Sequence, residues 1–152
     1  MPESFKSRSF RWGFNLFPAY RGSGGRVTYI AEDWHDVRVK LPLNWRTRNY
    51  VGTIYGGSIY AAIDPIYMLM LMKILGPGYV VWDKAAKIRF RKPARETLYV
   101  DFSLDRGEIA EIVKLADEAR SVDRIYNVEL KNGEGLVHAE IEKTVYIAKK
   151  GK

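Results

Sequence analysis

Asp64 has the strongest claim to chemistry. It is the only charge between Gly57 and Lys73, inside the most apolar stretch of the chain. A carboxylate there is costly unless it is paired or reaches solvent. Two readings stand. Asp followed by Pro65 suits an N-cap and first helical position, so Asp64 would restart a helix after a kink. Alternatively it is a functional carboxylate. Other chemistries lack their residues. The absence of cysteine removes disulfides, thiol nucleophiles and cysteine-ligated zinc. There is no Gly-x-Ser-x-Gly elbow, no phosphate loop ending in Gly-Lys-Ser or Gly-Lys-Thr, and no His-Glu-x-x-His. His35 and His138 fall on different predicted strands with no second ligand at metal spacing. They read as ordinary strand residues, and no metal is expected.

The elements that must position Asp64 follow from periodicity. Val27, Tyr29 and Ala31 alternate with polar residues, and so do Val37, Val39 and Leu41. Period two marks half-buried strands. After a polar loop at Asn44–Asn49, the apolar run reads as a helix from about Gly57 to Leu75, ended by Gly76-Pro77-Gly78. Pro65 should kink it. Four more strands follow, around Tyr79–Lys92, Leu98–Leu104, Arg124–Leu130 and Val137–Ile147. A charged helix at roughly Glu108–Arg120 interrupts them, with an apolar stripe of Ile109, Ile112, Val113 and Ala116. An antiparallel sheet wants one face covered, and the apolar helix is the available cover. The expectation is an α+β domain, a sheet wrapped around one long central helix.

A chain of 152 residues points to one domain. Its 47% hydrophobic and 28% charged content is globular, so disorder and low complexity are excluded. The net charge of +7 favours an anionic partner. The apolar stretch Ile59–Met72, broken by Asp64 and Pro65, falls short of a membrane span. The opening Met-Pro-Glu-Ser is not a signal peptide. A soluble cytoplasmic protein is therefore expected. Residues 1–24 stand apart as an amphipathic helix ending near Pro18, then a loop. Phe5, Phe10, Trp12, Phe14, Leu16 and Phe17 mix there with Lys6, Arg8 and Arg11. This helix packs on the domain or a neighbouring subunit, or it anchors to a membrane surface. The main domain covers 25–148 and a basic tail 149–152.

Asn49, Gly56-Gly57 and Asp64, each step separated by six residues, resemble the signature of the hotdog-fold acyl-CoA thioesterases of the phenylacetyl-CoA-thioesterase type. The stretch Asn-x-x-Gly-Thr-Ile-Tyr-Gly-Gly-Ser is similar to their Asn-x-x-Gly-Thr-x-His-Gly-Gly. Val81–Lys84, Ile88-Arg89-Phe90 and Lys92-Pro93 look most like a bacterial branch that also carries the Asp-Pro pair. The resemblance covers about residues 25–148 and implies a hotdog fold hydrolysing acyl-CoA to free acid and coenzyme A, with no cofactor. It further implies that Asp64 is general base or nucleophile, that the Gly57 N–H polarises the thioester oxygen, and that Asn49 orients water or thioester. It also implies a site shared between subunits of a dimer or dimer of dimers. A non-catalytic acyl-CoA or lipid-binding hotdog is the alternative.

Two departures from the family pattern matter. The histidine before Gly56-Gly57 is Tyr55 here; a tyrosine side chain can donate one hydrogen bond but is not the near-neutral acid–base group that histidine is. The position where relatives carry serine or threonine falls at Asp83. Lys84 shares the parity of Ala86, Ile88 and Phe90, so it is expected to face the helix and pair with Asp64. The cluster Lys84, Lys87, Arg89, Arg91, Lys92 and Arg95 is either a solvated outer face or, as in hotdog relatives, a seat for coenzyme A phosphates. Nucleic acid is not expected, because no reader motif accompanies the charge.

Overall fold

The structure, a computed structural model, describes residues 2–151. Its centre is the apolar run. Buried residues recur there in pairs every four positions: Ser58 and Ile59, Ala62 and Ile63, Ile66 and Tyr67, Met70 and Leu71. That spacing is one face of an α-helix. Helices α3 (Gly56–Ile63) and α4 (Ile66–Leu75) share it, and Asp64 and Pro65 form the joint between them. Both joint residues keep right-handed helical angles. Taken together, Gly56–Leu75 is 20 residues long and apolar enough by length and composition to cross a membrane. That is longer than the sequence suggested. Here the buried face packs into a sheet instead.

The sheet has six antiparallel strands, β1 (Arg26–Ile30), β2 (Asp36–Leu41), β3 (Tyr79–Phe90), β4 (Leu98–Ser103), β5 (Val122–Lys131) and β6 (Val137–Lys149), in the order β1-β2-β4-β5-β6-β3. β4 alternates as read from sequence: Leu98, Val100 and Phe102 point in, while Tyr99, Asp101 and Ser103 point out. In β1 the expected face of Val27, Tyr29 and Ala31 is broken by a register shift after Val27, so Val27 and Ile30 are the strand's buried residues. Helix α5 (Arg106–Glu118) is inserted between β4 and β5, which pair only at Tyr99 and Lys131. It buries Ile112 and Ala116. Nearby, Tyr67 of α4 stacks on Tyr126 at 4.3 Å and meets Phe102 edge-on at 5.1 Å. His35 lies in the turn before β2 rather than in a strand.

Near the N-terminus, α1 spans Phe5–Leu16, closed at its start by a Ser4–Ser7 capping box. Pro18 does not lead into a loop, as the sequence suggested. It opens a second short helix, α2 (Pro18–Ser23), because a missing N–H costs nothing in a first turn. Phe10 and Phe14 of α1 face inward onto Trp34 and Tyr20. The Asn15 side chain accepts from the Val27 N–H and donates to the Val27 carbonyl, both at 2.8 Å. An amide thus stands where a neighbouring strand would, and closes the β1 edge. The twelve-residue β3, at the other edge, pairs only with β6.

The joint is held from outside. Proline at 65 and the restart at Ile66 interrupt the carbonyl ladder, and the buried Tyr20 hydroxyl donates to the Ala62 carbonyl at 2.7 Å. Gly25 lies so close that an added Cβ would stand 2.6 Å from the Ala62 Cβ.

Candidate active site

Asp64 does not cap α4, which has no side-chain cap. It ends α3, and its Oδ1 accepts from the Tyr60 hydroxyl at 2.7 Å and from Lys143 Nζ at 2.8 Å. Oδ2 has no hydrogen-bond partner among the described residues, and the side chain is 43% exposed. One oxygen is anchored and the other faces an accessible space.

Lys143 sits at an inward position of β6 between Ile141 and Val145, with its side chain 1% exposed. Its three N–H bonds have three neighbours. Besides Asp64, Nζ reaches the Tyr60 oxygen at 3.1 Å and Asp83 Oδ1 at 3.0 Å, the last a close ion pair poorly aligned for a hydrogen bond. Burial works against the ammonium charge, but the hydrogen bonds to Asp64 and Tyr60 and the nearby charge of Asp83 outweigh it and hold its pKa above the usual lysine value. Burial pushes Asp83 up, against the pull of Lys143. Burial also raises Tyr60, so its hydroxyl stays protonated and able to donate.

The pairing expected between Lys84 and Asp64 is not made. Asp83 faces Val145 and Ala85 faces Thr144, so Lys84 is the extra residue of a β-bulge. The bulge flips the parity on which that expectation rested. Lys84 lies outside, 2.7 Å from Asp123, and Lys143 takes its place. Nothing in the alternation of β3 betrays the bulge. A signal for Lys143 did exist: a lysine on the inward parity of Val137, Ala139, Ile141, Val145 and Ile147. Tyr60, one turn before Asp64, was visible by its i,i+4 spacing.

Gly57 lies in the first turn of α3, and the N–H groups of Gly56 and Gly57 have no partner among the described residues. They point along the positive end of the helix. Neither glycine has room to spare. A Cβ on Gly57 would stand 2.4 Å from the Tyr55 ring, and one on Gly56 would stand 3.2 Å from the Phe90 ring. Tyr55 itself is exposed. Asn49 works locally: Oδ1 accepts from the N–H groups of Val51 and Thr53, and Nδ2 donates to the Thr53 hydroxyl at 2.8 Å. It fixes the loop that delivers the chain to Tyr55.

Between the buried pairs of α3 and α4 runs a stripe left partly open, with Gly57, Tyr60, Asp64, Met68 and Met72 along it. The two glycine amides open this stripe at the helix start, and the carboxylate oxygen lies about two turns further along it. Arg89 and Lys87 point outward from β3, opposite Glu140 and Glu142 in register. Arg91 pairs with Glu140 at 3.0 Å, and Lys92 is exposed beyond the strand. The contact of Phe90 with Gly56 brings this basic end of β3 beside the start of α3.

The model of one family, Domain of unknown function (DUF4442), matches residues 6–147. The chain belongs to that family. A search of curated proteins found no match. Among solved structures, a Pseudomonas aeruginosa protein described as of unknown function and as a probable thioesterase superposes with a TM-score of 0.83 at 20% identity, covering 98% of each chain. A Chlorobaculum tepidum protein of unknown function gives 0.75 at 13% identity, covering 95% of each. A Haemophilus influenzae thioesterase gives 0.70 at 14% identity, covering 99% of this chain and 95% of that one. The fold of this DUF4442 protein is the hotdog fold, with a sheet wrapped around a central helix as the sequence resemblance implied.

Proposed function

We propose that this DUF4442 protein hydrolyses an acyl-CoA thioester to free acid and coenzyme A, with Asp64 as general base. The observation that carries the reading is the half-exposed Asp64 carboxylate, anchored on one oxygen by Lys143 and Tyr60 and open on the other. The unpaired Gly57 N–H at the start of α3 completes the site, in the proposed dimer from the second subunit. A water on Oδ2 gives its proton to Asp64 as its oxygen attacks the thioester carbon. The carbonyl oxygen gains negative charge, which the Gly57 N–H stabilises. The C–S bond then breaks, and the thiolate of coenzyme A takes the proton back from Asp64. Lys143 holds the other carboxylate oxygen, which leaves Oδ2 free to take the water. Asn49 holds the loop leading to Tyr55, and its second Nδ2 hydrogen remains for the substrate. Tyr55 and Gly56 flank the thioester. Arg89, Arg91 and Lys92, next to Phe90, supply positive charge for the coenzyme A phosphates.

The reading includes a homodimer. The open edge of β3 is a template for a second strand, and the apolar Met68 and Met72 on the open stripe call for a cover.

Free thiol released from acyl-CoA esters of graded chain length tests the activity. With the best substrate, Asp64→Asn should lower the rate by roughly 10²–10⁴-fold, the usual worth of a general base. Its side-chain oxygen still accepts from Lys143 and Tyr60, so folding should change little. The second reading, an acyl-CoA-binding hotdog without catalysis, draws on Tyr55 and on the ion-paired state of Asp64. An unchanged rate in Asp64→Asn, with binding of a non-hydrolysable acyl-CoA analogue retained, would favour it.

A further inference from the structure

Helix α1 has two apolar faces, and the domain uses one. Ser7, Phe10 and Phe14 turn inward. Phe5, Trp12 and Leu16, at i, i+7 and i+11, form a second stripe on the opposite side. They are 85%, 62% and 66% exposed. Trp45, 81% exposed, comes from the loop after β2. Three adjoining shallow grooves meet at Leu16 and join it to Trp12 and Trp45, and Arg21, Arg26, Lys40 and Arg46 each line two of them. No aspartate or glutamate lines any of the three. Arg21, Arg26, Lys40 and Arg46 form no ion pair among the described residues, and Arg46 lies over the Trp45 ring at 5.2 Å.

We infer that this face docks on an anionic phospholipid surface, with Trp12, Leu16 and Trp45 entering the headgroup boundary and the four cations meeting the lipid phosphates. A surface helix with aromatic and leucine residues outward and cations at its flanks is built for a membrane interface. Each cation near an anionic leaflet adds to the attraction. The charge argues against a second copy of the chain, because a symmetric contact would set the same unpaired cations against each other. It also argues against duplex nucleic acid, which would answer the cations and leave Phe5 and Leu16 in water. The inference does not depend on thioester hydrolysis.

Co-sedimentation of the full chain with vesicles tests it, alongside the shift of tryptophan emission on binding. Vesicles of equal parts phosphatidylglycerol and phosphatidylcholine should carry the protein down, and pure phosphatidylcholine should leave it in the supernatant. Raised salt should weaken binding. The double variants Arg21→Glu/Arg46→Glu and Trp12→Ser/Leu16→Ser should each lower partitioning by roughly tenfold or more while keeping the wild-type melting curve, since these side chains are exposed. Equal binding to neutral vesicles, or binding indifferent to both variants, overturns the proposal. So does a Trp12→Ser/Leu16→Ser variant whose particle mass halves in light scattering, since the face would then belong to a second copy. Binding of an oligonucleotide through the same residues, with the vesicles left bare, overturns it too.

Discussion

At the scale of single residues, the site rests on one lysine between two carboxylates. Lys143 is wholly enclosed, so its charge is held by hydrogen bonds to Asp64 and Tyr60 and by the close negative charge of Asp83. Taking it away strands two acids side by side, one of them already raised by burial. Lys143→Met should therefore destabilise by about 3 kcal/mol, the lower end for breaking a buried pair because Asp64 reaches solvent. Chemical denaturation measures this, and a loss well under 1 kcal/mol would mean that the ammonium contributes nothing net. Asp64 was legible from sequence because a lone acid in an apolar run stands out. Its partner was not. The eye assigns Lys143 to the polar half of a strand by type, although its parity with Ile141 and Val145 says otherwise. Charge pairing across elements distant in sequence leaves no periodic trace.

At the scale of elements, period two located all six strands and period 3.6 located the central helix and α5, because each element buries one face. Where a feature does not alter which face is buried, the pattern is silent. Pro18 could end one helix or begin the next, and both have the same local sequence. The bulge in β3 is hidden for another reason: it switches the inward parity part-way along the strand, so one period-two reading cannot hold for both halves. Lys84 is inserted between Asp83 and Ala85, so inward positions run Val81, Asp83, then Ala86 and Ile88. Deleting Lys84 leaves regular alternation with every inward residue still inward. Deleting Lys87 instead turns Ile88 outward. The first deletion should cost a few degrees of melting temperature and the second should largely prevent folding. Circular dichroism on the two deletions distinguishes them, and equal damage from both would show that the bend itself, and not the register, is what the fold needs.

At the scale of the whole molecule, burial ties the fold to its protons. Tyr20, Tyr67 and Tyr126 all have pKa values raised by desolvation, Tyr67 to about 12 from an ordinary 10.0. Unfolded tyrosines release protons from about pH 10 upward while the folded ones keep theirs, so the native state holds more protons there and stability falls as pH rises. Lys143 acts in the same sense above 10.5. Denaturation midpoints should be flat below about pH 10 as far as these groups go and drop steeply beyond it. Tyr126→Phe should soften the drop, and an unchanged profile in that variant would remove this tyrosine from the account.

The two borders of the sheet are unlike, and this makes the chain a monofunctional unit in the polymer chemist's sense. Asn15 terminates one border by imitating a neighbour, and β3 leaves the other reactive. Joining two reactive borders about a twofold axis consumes both, and no growing end survives. A long strand border would ordinarily be a hazard for fibre growth. Here the proposed pairing ends the reaction at its first step. The particle mass should sit at twice the 17.5 kDa chain and stay there as concentration climbs. A mass rising without limit in light scattering would show that α1 does not terminate the β1 border in solution.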